Sequence, residues 1–150
     1  MKVIFVCTGN TCRSPMAEYL LRDMLQGEEL EFVEVHSAGV AARGGQPATG
    51  HVREILKAEG IDEITNHRSR GIMDLDISPE DLILTMTPGH KEQLERYFPS
   101  PYNIYTLHEY LGEEGQVSDP YGGDEELYRE TFRQLQELIE SLVQEIADKR

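Results

Sequence analysis

The first apolar positions of the chain change from a strand-like run to a helix-like stripe. Residues 3–6 form an unbroken β-branched and aromatic run, which is typical of a parallel strand buried on both faces. A polar loop follows, and Ser14 with Pro15 predicts a helix N-cap and a proline in the first helical position. Apolar residues then recur at helical spacing, at Met16, Ala17, Leu20, Leu21, Met24 and Leu25. The pattern predicts a strand, a tight loop and a helix.

The same alternation of strand and helix continues toward the C-terminus. Strands are predicted at residues 32–35, 82–86 and 103–107, and helices at 51–59, 88–97 and 125–147. Alternating elements favour a parallel sheet covered by helices. We therefore predict an α/β fold with three α/β/α layers and roughly four parallel strands, in a single domain over residues 1–150. In such sheets a ligand binds beyond the carboxyl ends of the strands, where the loop after Val6 lies.

Charge and cysteine content limit the classes of partner and of compartment. The 14 Lys and Arg against 28 Asp and Glu give a formal net charge of −14, which disfavours binding to nucleic acid or to an anionic membrane. No apolar stretch approaches the roughly 18 residues of a membrane span, and the first is too short for a signal-peptide core. Cys7 and Cys12 alone make neither a disulfide framework nor a four-ligand zinc pattern. We expect a cytoplasmic protein, in a reducing compartment, with no nucleic-acid or membrane partner.

The loop at residues 7–14, CTGNTCRS, combines three features that phosphoryl chemistry uses. A short loop that enters a helix N-terminus can turn its backbone N–H groups inward as a cradle for an anion. Arg13 follows Cys7 after five intervening residues and can hold two oxygens of a tetrahedral oxyanion. The positive potential of the helix end favours the thiolate of Cys7, and the Ser14 hydroxyl can donate to that sulfur. The segment predicts a phosphate-binding loop, after the first strand, with a cysteine nucleophile.

Three separate stretches carry a family resemblance. Residues 6–18, VCTGNTCRSPMAE, with residues 36–39 and the Asp119-Pro120-Tyr121 stretch, resemble the low-molecular-weight protein tyrosine phosphatase family over essentially the whole chain. The resemblance implies that Cys7 attacks phosphorus to form a phosphocysteine, while Arg13 and the loop amides bind the transferring group. It implies that Asp119 is the general acid, although Asp-Pro alone is a turn signal. It further implies phosphorylated proteins as partners, neither metal nor other cofactor, and a monomer.

The resemblance also assigns supporting roles around the loop. Asn10 tolerates a positive φ, and in the family it braces the loop through its side chain. Ser37 aligns with a family serine that fixes this asparagine, and is otherwise a strand-end hydroxyl. His67 lies near the position of a family histidine that supports Ser14, and is otherwise a structural histidine. The phosphate-binding residues expected are Thr8, Gly9, Asn10, Thr11, Cys12, Arg13 and Ser14.

Thr11 and the segment around Asp119 indicate which phosphorylated residue is the substrate. The family commonly has isoleucine at the position of Thr11, and threonine there resembles the branch of bacterial protein arginine phosphatases. The acid segment of that branch runs Asp-Pro, an aromatic residue and two glycines, as DPYGG does here. An acidic rim from Asp119, with Asp124 or Glu125, would favour a guanidinium over a phenol. Tyr121, a second specificity candidate, can stack on either group. We predict hydrolysis of phosphoarginine in proteins, with phosphotyrosine as the alternative substrate.

Two other function classes and one regulatory hypothesis stay open. Thioredoxin-coupled arsenate reductases have this fold and a similar loop, but resemble a relay that needs two further cysteines, which the sequence lacks. A noncatalytic phosphate-binding module would bind without cleaving, and the presence of Cys7, Arg13 and Asp119 argues against it. Cys12 either packs beneath the loop or forms a reversible disulfide that protects Cys7 from irreversible oxidation.

Overall fold

The computed structural model describes residues 1–28, 30 and 32–149. In this part of the chain four strands form one sheet: β1 (Lys2–Cys7), β2 (Glu34–Gly39), β3 (Leu82–Thr85) and β4 (Asn103–Thr106). The α-helices are α1 (Arg13–Leu25), α2 (Gly50–Ala58), α3 (Pro88–Glu95), α4 (Leu107–Tyr110) and α5 (Glu125–Asp148). Two short 3-10 helices cover Asp62–Asn66 and Ile72–Asp74.

All strand pairs in the sheet are parallel, and the strand order is β2-β1-β3-β4. Cys7 at the end of β1 is in register with Gly39 at the end of β2. Val6 is in register with Thr85, the last residue of β3. The loops that follow these three strands therefore meet at one edge of the sheet, and the predicted parallel α/β fold is confirmed.

Successive residues of β1 pack into two different cores. Phe5 belongs to the core that includes buried residues of α1 and α5. Ile4 and Val6 belong to the core on the opposite face, with Leu94 of α3. This alternation follows from the period of two along a strand, and it confirms the three-layer arrangement.

The apolar stripe predicted for the last helix is the buried face of α5. Asp124 caps the helix, since its carboxylate accepts a hydrogen bond from the backbone N–H of Leu127 at 3.0 Å. The predicted apolar stripe is buried: Tyr128, Thr131, Phe132, Leu135, Leu138, Ile139, Leu142 and Ile146. The other face of the helix is polar, and no helix in the described part of the chain is long and apolar enough to cross a membrane.

Several predicted strand boundaries are wrong, and β3, for example, ends at Thr85 and not at residue 86. The second strand runs over Glu34–Gly39 and not over residues 32–35, and Phe32 lies in a turn with a 52% exposed side chain. β2 is an edge strand, and its exposed Glu34 and half-buried His36 interrupt the apolar pattern that a central strand would show. β4 ends at Thr106, where a capping box with Glu109 starts the short helix α4.

Candidate active site

The loop after β1 leads directly into α1. The helix begins at Arg13, and Cys12 stands at the N-cap position with no side-chain hydrogen bond to the first turn. The prediction that Ser14 caps the helix is therefore wrong, because its hydroxyl is bonded within the loop. The first-turn N–H groups carry no side-chain cap, so the positive end of the helix is open to an anion.

The thiol of Cys7 lies beside the hydroxyl of Ser14. Cys7 is the last residue of β1 and is buried, with Sγ 2.9 Å from Ser14 Oγ. Ser14 Oγ accepts a hydrogen bond from Asn10 Nδ2 at 2.8 Å, so its own proton can go to the sulfur or to the Ala38 carbonyl oxygen at 3.4 Å. The sulfur is the nearer acceptor. A donated hydrogen bond there stabilises the thiolate, the nucleophilic form of a cysteine.

Asn10 holds the loop in shape through both its side chain and its backbone. Its φ of +58° is the left-handed conformation expected for it. Its Nδ2 donates to Ser37 Oγ at 2.8 Å, and its Oδ1 accepts from the backbone N–H of Arg70 at 3.0 Å. His67 Nε2 donates to the Asn10 carbonyl oxygen at 2.8 Å. His67 therefore supports the loop through Asn10 and not through Ser14 as expected.

A buried carboxylate, Glu18, lies behind this network. Glu18 is 2% exposed, accepts a hydrogen bond from Ser37 Oγ at 2.5 Å and pairs with Arg22 at 2.6 Å. His67 Nδ1 lies 4.0 Å from Glu18 Oε1, and burial holds the pKa of His67 below its usual range. A buried carboxylate is tolerated only with such partners, so Glu18 anchors Ser37 and with it Asn10.

Gly39 at the end of β2 lets the loop pack closely. A Cβ at this position would clash with the carbonyl oxygen of Thr8 and would lie 3.1 Å from the backbone nitrogen of Asn10. Residues 36–39 are one of the three stretches that resemble the family. The close approach of the loop is the physical reason for the glycine at the end of this stretch.

Sequence reasoning found no role for His90, which contacts the loop from α3. His90 Nε2 lies 2.9 Å from Thr8 Oγ1, and its Nδ1 lies 3.0 Å from Oγ1 of Thr87, the N-cap of α3. Burial, assisted by the charge of Arg13, lowers the pKa of His90 to about 4. The helix predicted at residues 88–97 was the available signal, because it directly follows the strand predicted at 82–86 and so lies at the carboxyl edge of β3.

Asp119 reaches the loop from the segment before α5. Its Oδ2 lies 3.4 Å from Nη2 of Arg13, whose Nη1 donates to the carbonyl oxygen of Val117 at 3.2 Å. Asp119 Oδ1 accepts a hydrogen bond from the backbone N–H of Tyr121 at 3.0 Å, which closes a turn. Gly123 leaves no room for a Cβ beside Leu127, so this glycine has a structural reason of its own.

Cys7, Arg13 and Asp119 line one cleft of about 730 Å³, together with Thr11 and Tyr121. Thr8, Gly9 and Cys12 also line this cleft, whereas Asn10 and Ser14 support the loop from behind. The Tyr121 side chain is 75% exposed.

The charged residues that line the cleft differ from the expected acidic rim. They are Asp119 and three arginines: Arg13, Arg43 and Arg53. Asp124 instead caps α5, and Glu125 pairs with Arg129 at 3.0 Å. The prediction of an acidic rim is therefore wrong for Asp124 and Glu125, because both carboxylates interact with residues of α5.

Cys12 packs beneath the loop as a free thiol. Its Sγ lies 3.7 Å from the hydroxyl of Tyr128 and 3.8 Å from that of Thr49. Burial raises the pKa of Cys12, and burial together with this contact raises the pKa of Tyr128 to about 12. Among the described residues, no three His, Cys, Asp or Glu side chains are grouped as a metal ion would require.

Comparison with known proteins gives the family and the fold together. Residues 2–150 match the low molecular weight phosphotyrosine protein phosphatase family. The chain is 40% identical over 147 residues to a protein-arginine-phosphatase of Geobacillus stearothermophilus, covering 97% of this chain and 95% of the relative.

Two solved structures superpose closely on this fold. One is a low molecular weight protein tyrosine phosphatase from T. tengcongensis, with a TM-score of 0.90 and 42% identity, covering 97% of this chain and 99% of the other. The second is a mutant of the YwlE arginine phosphatase with a phosphorylated active site serine, with a TM-score of 0.88 and 39% identity, covering 100% and 98%. With a family match over nearly its whole length, this chain belongs to the low molecular weight phosphotyrosine protein phosphatases, a family of cysteine-dependent enzymes.

Proposed function

We propose that this protein hydrolyses phosphoarginine residues in proteins through a phosphocysteine intermediate. The observation that carries the proposal is that Cys7, Thr11, Arg13 and Asp119 line the same cleft. Similarity to a protein-arginine-phosphatase and to a YwlE structure that holds a phosphorylated active site serine supports it. Cysteine, arginine and aspartate supply a nucleophile, an oxyanion clamp and a proton donor.

In the first step the Cys7 thiolate attacks phosphorus, and the bond from phosphorus to the guanidino nitrogen breaks. Arg13 and the loop N–H groups hold the equatorial oxygens as charge develops on them. Asp119 donates a proton to the leaving nitrogen, so that the guanidino group does not leave as an anion. The products of this step are the unmodified arginine side chain and phosphocysteine at position 7.

In the second step water attacks the phosphocysteine. The Asp119 carboxylate takes a proton from the water, and the bond from phosphorus to sulfur breaks to release phosphate. Ser14 Oγ lies 2.9 Å from Cys7 Sγ and donates to the departing thiolate, which lowers the cost of expelling it. The enzyme returns to its starting protonation state.

Thr11 distinguishes phosphoarginine from the alternative substrate, phosphotyrosine. Its side chain lines the cleft, and a Cβ added to Gly9 would lie 3.7 Å from Thr11 Oγ1, so the hydroxyl lies beside Gly9 of the loop. A hydroxyl there offers a polar contact to the nitrogen linkage or to the attacking water, whereas isoleucine would offer only bulk. Phosphotyrosine remains the second candidate because a relative of 42% identity is a tyrosine phosphatase and the exposed Tyr121 can stack on a phenol.

The test is a comparison of kcat/KM on phosphoarginine and phosphotyrosine peptides of the same sequence. We expect the phosphoarginine peptide to be hydrolysed at least tenfold faster. Equal or faster turnover of phosphotyrosine would overturn the assignment of arginine while leaving the phosphatase chemistry in place. Cys7→Ser should abolish turnover of both peptides.

The protein is further proposed to act as a monomer, as one domain over its 150 residues, in the cytoplasm. A family match over residues 2–150 supports the single domain. Size-exclusion chromatography with light scattering tests the monomer, and a dimer mass at working concentration would contradict it.

A further inference from the structure

The cleft carries more positive charge than the phosphoryl group needs. Arg43, in the segment after β2, and Arg53, in α2, line the cleft together with Cys7. Arg53 Nη2 lies 3.9 Å from the position that a Cβ would take on Gly50, so its guanidinium lies over the first residue of α2. Arg13 and the loop N–H groups already supply the hydrogen-bond donors that the phosphoryl oxygens need.

Within the described residues, neither Arg43 nor Arg53 forms an ion pair or donates a side-chain hydrogen bond. Four other arginines are paired with carboxylates: Arg13 with Asp119, Arg22 with Glu18, Arg129 with Glu125 and Arg133 with Glu126. Arg68 and Arg70 donate instead to backbone carbonyl oxygens. The chain has 28 acidic residues against 14 basic ones, so partners for two guanidinium groups are abundant in its sequence. Two arginines without such partners in one cleft point to an anion that comes from outside the chain.

We propose that Arg43 and Arg53 form a second anion subsite, which binds a carboxylate or a second phosphoryl group close to the phosphorylated residue of the substrate. The inference rests on the proposed function, because it concerns how a phosphorylated protein is selected at the same cleft. The subsite favours phosphorylated residues in acidic sequences. It would allow a protein of net charge −14 to bind acidic substrates, since three arginines line the cleft against the one carboxylate of Asp119.

The expected size of the effect follows from ion pairs that are partly exposed to solvent. Arg43 is exposed and Arg53 is half-buried, and each such pair is worth roughly a two- to fivefold preference. The two together give roughly a four- to twenty-fivefold preference in kcat/KM, mostly through KM. Salt should reduce the preference, because the Debye length falls from about 30 Å at 0.01 M to about 3 Å at 1 M ionic strength.

The experiment uses three phosphoarginine peptides that differ only beside the phosphorylated residue: glutamine, glutamate or phosphoserine on both sides. Loss of phosphoarginine is followed by mass spectrometry, with the wild-type protein and the double variant Arg43→Gln/Arg53→Gln. We expect both anionic peptides to be preferred over the glutamine peptide by the wild type, and the preference ratio to fall to about one in the double variant. The larger of the two preferences identifies carboxylate or phosphoryl as the better ligand.

Arg96→Gln is the matched control, since Arg96 lies at the end of α3 and does not line the cleft. This variant should keep the preference of the wild type. Equal kcat/KM on the three peptides, or a preference that survives in the double variant, would overturn the subsite and leave the proposed function intact. No turnover of any of the three by the wild type, with hydrolysis of p-nitrophenyl phosphate retained, would instead contradict the proposed function, and the subsite with it.

Discussion

Asp119 Oδ2 lies 3.4 Å from Arg13 Nη2, so the proposed proton donor is paired with the proposed phosphoryl clamp. Arg13 is almost fully buried and is held in addition by the Val117 carbonyl, whereas Asp119 is exposed at the mouth of the cleft. A bound phosphoryl dianion competes with Asp119 for the guanidinium. We expect substrate binding to release Asp119 from the ion pair, so that its carboxylate can take up a proton from solvent and then donate that proton to the leaving nitrogen.

Asp119→Asn separates proton donation from binding. An amide cannot protonate the leaving nitrogen, so kcat on a phosphoarginine peptide should fall by about 10²- to 10⁴-fold. The loss should be much smaller with p-nitrophenyl phosphate, whose leaving group departs readily as an anion. Steady-state kinetics on both substrates is the measurement. Asp124→Asn is the control, because asparagine also caps a helix and Asp124 does not line the cleft. An equal loss on both substrates would refute the role of Asp119 as an acid.

Thr11→Ile tests the residue that carries the choice of substrate. We expect the ratio of kcat/KM for phosphoarginine to that for phosphotyrosine to fall about tenfold, since one polar contact is worth roughly 1.4 kcal/mol. Thr11→Val removes the hydroxyl at constant shape and Thr11→Ser keeps it. If the hydroxyl is responsible, valine should behave like isoleucine and serine like threonine. An unchanged ratio in all three would make Thr11 a packing residue.

The parts of the fold that local pattern determines were predicted, and the parts that distant contacts determine were not. β1, the passage from the loop into a helix and the stripe of α5 depend on neighbouring residues, and these predictions hold. β2 was misplaced because an edge strand tolerates Glu34 and His36. Ser14 was misassigned as a cap because its hydrogen bond partner, Asn10, is set by the loop and not by the helix pattern.

The residues of the site that sequence reasoning missed come from far along the chain. His90 bonds to Thr8 across 82 positions, and no spacing rule connects two such residues before the strand order is known. Arg43 lies in the irregular segment between β2 and α2, and Arg53 lies on a polar face of α2. An arginine at either kind of position is ordinarily a solvated surface charge. That neither has an ion-pair partner among residues 1–28, 30 and 32–149 is visible only in three dimensions.

Cys12 is predicted to protect Cys7 from irreversible oxidation. Peroxide converts the Cys7 thiolate to a sulfenic acid, which condenses with the Cys12 thiol to a disulfide and releases water. Activity lost to peroxide should therefore return with dithiothreitol in the wild type and should not return in Cys12→Ser. Activity recovery and the mass of the Cys7 peptide are the measurements. Loss in the wild type that dithiothreitol does not reverse would leave Cys12 as a packing residue beneath the loop.

His90 should make the stability of the protein depend on pH. In the unfolded chain a histidine binds a proton below about pH 6.5, whereas burial and the charge of Arg13 keep the folded His90 neutral down to about pH 4. The Asp119 charge opposes this shift more weakly. On acidification the unfolded state therefore gains its proton first, and the free energy of unfolding should fall by about 2 kcal/mol between about pH 7 and pH 5 through this residue.

Replacing His90 isolates its contribution from those of the other buried histidines. His67 and His108 also have lowered pKa values from burial, but they are present in both proteins and cancel in the comparison. Urea unfolding followed by circular dichroism should show a smaller loss of stability with falling pH in His90→Gln than in the wild type. The same slope in both would mean that His90 already takes up its proton in the folded state near pH 6.5, and that Thr8 Oγ1 tolerates a charged imidazole at 2.9 Å. The expected difference in slope would establish a neutral His90 as the link between α3 and the phosphate-binding loop at working pH.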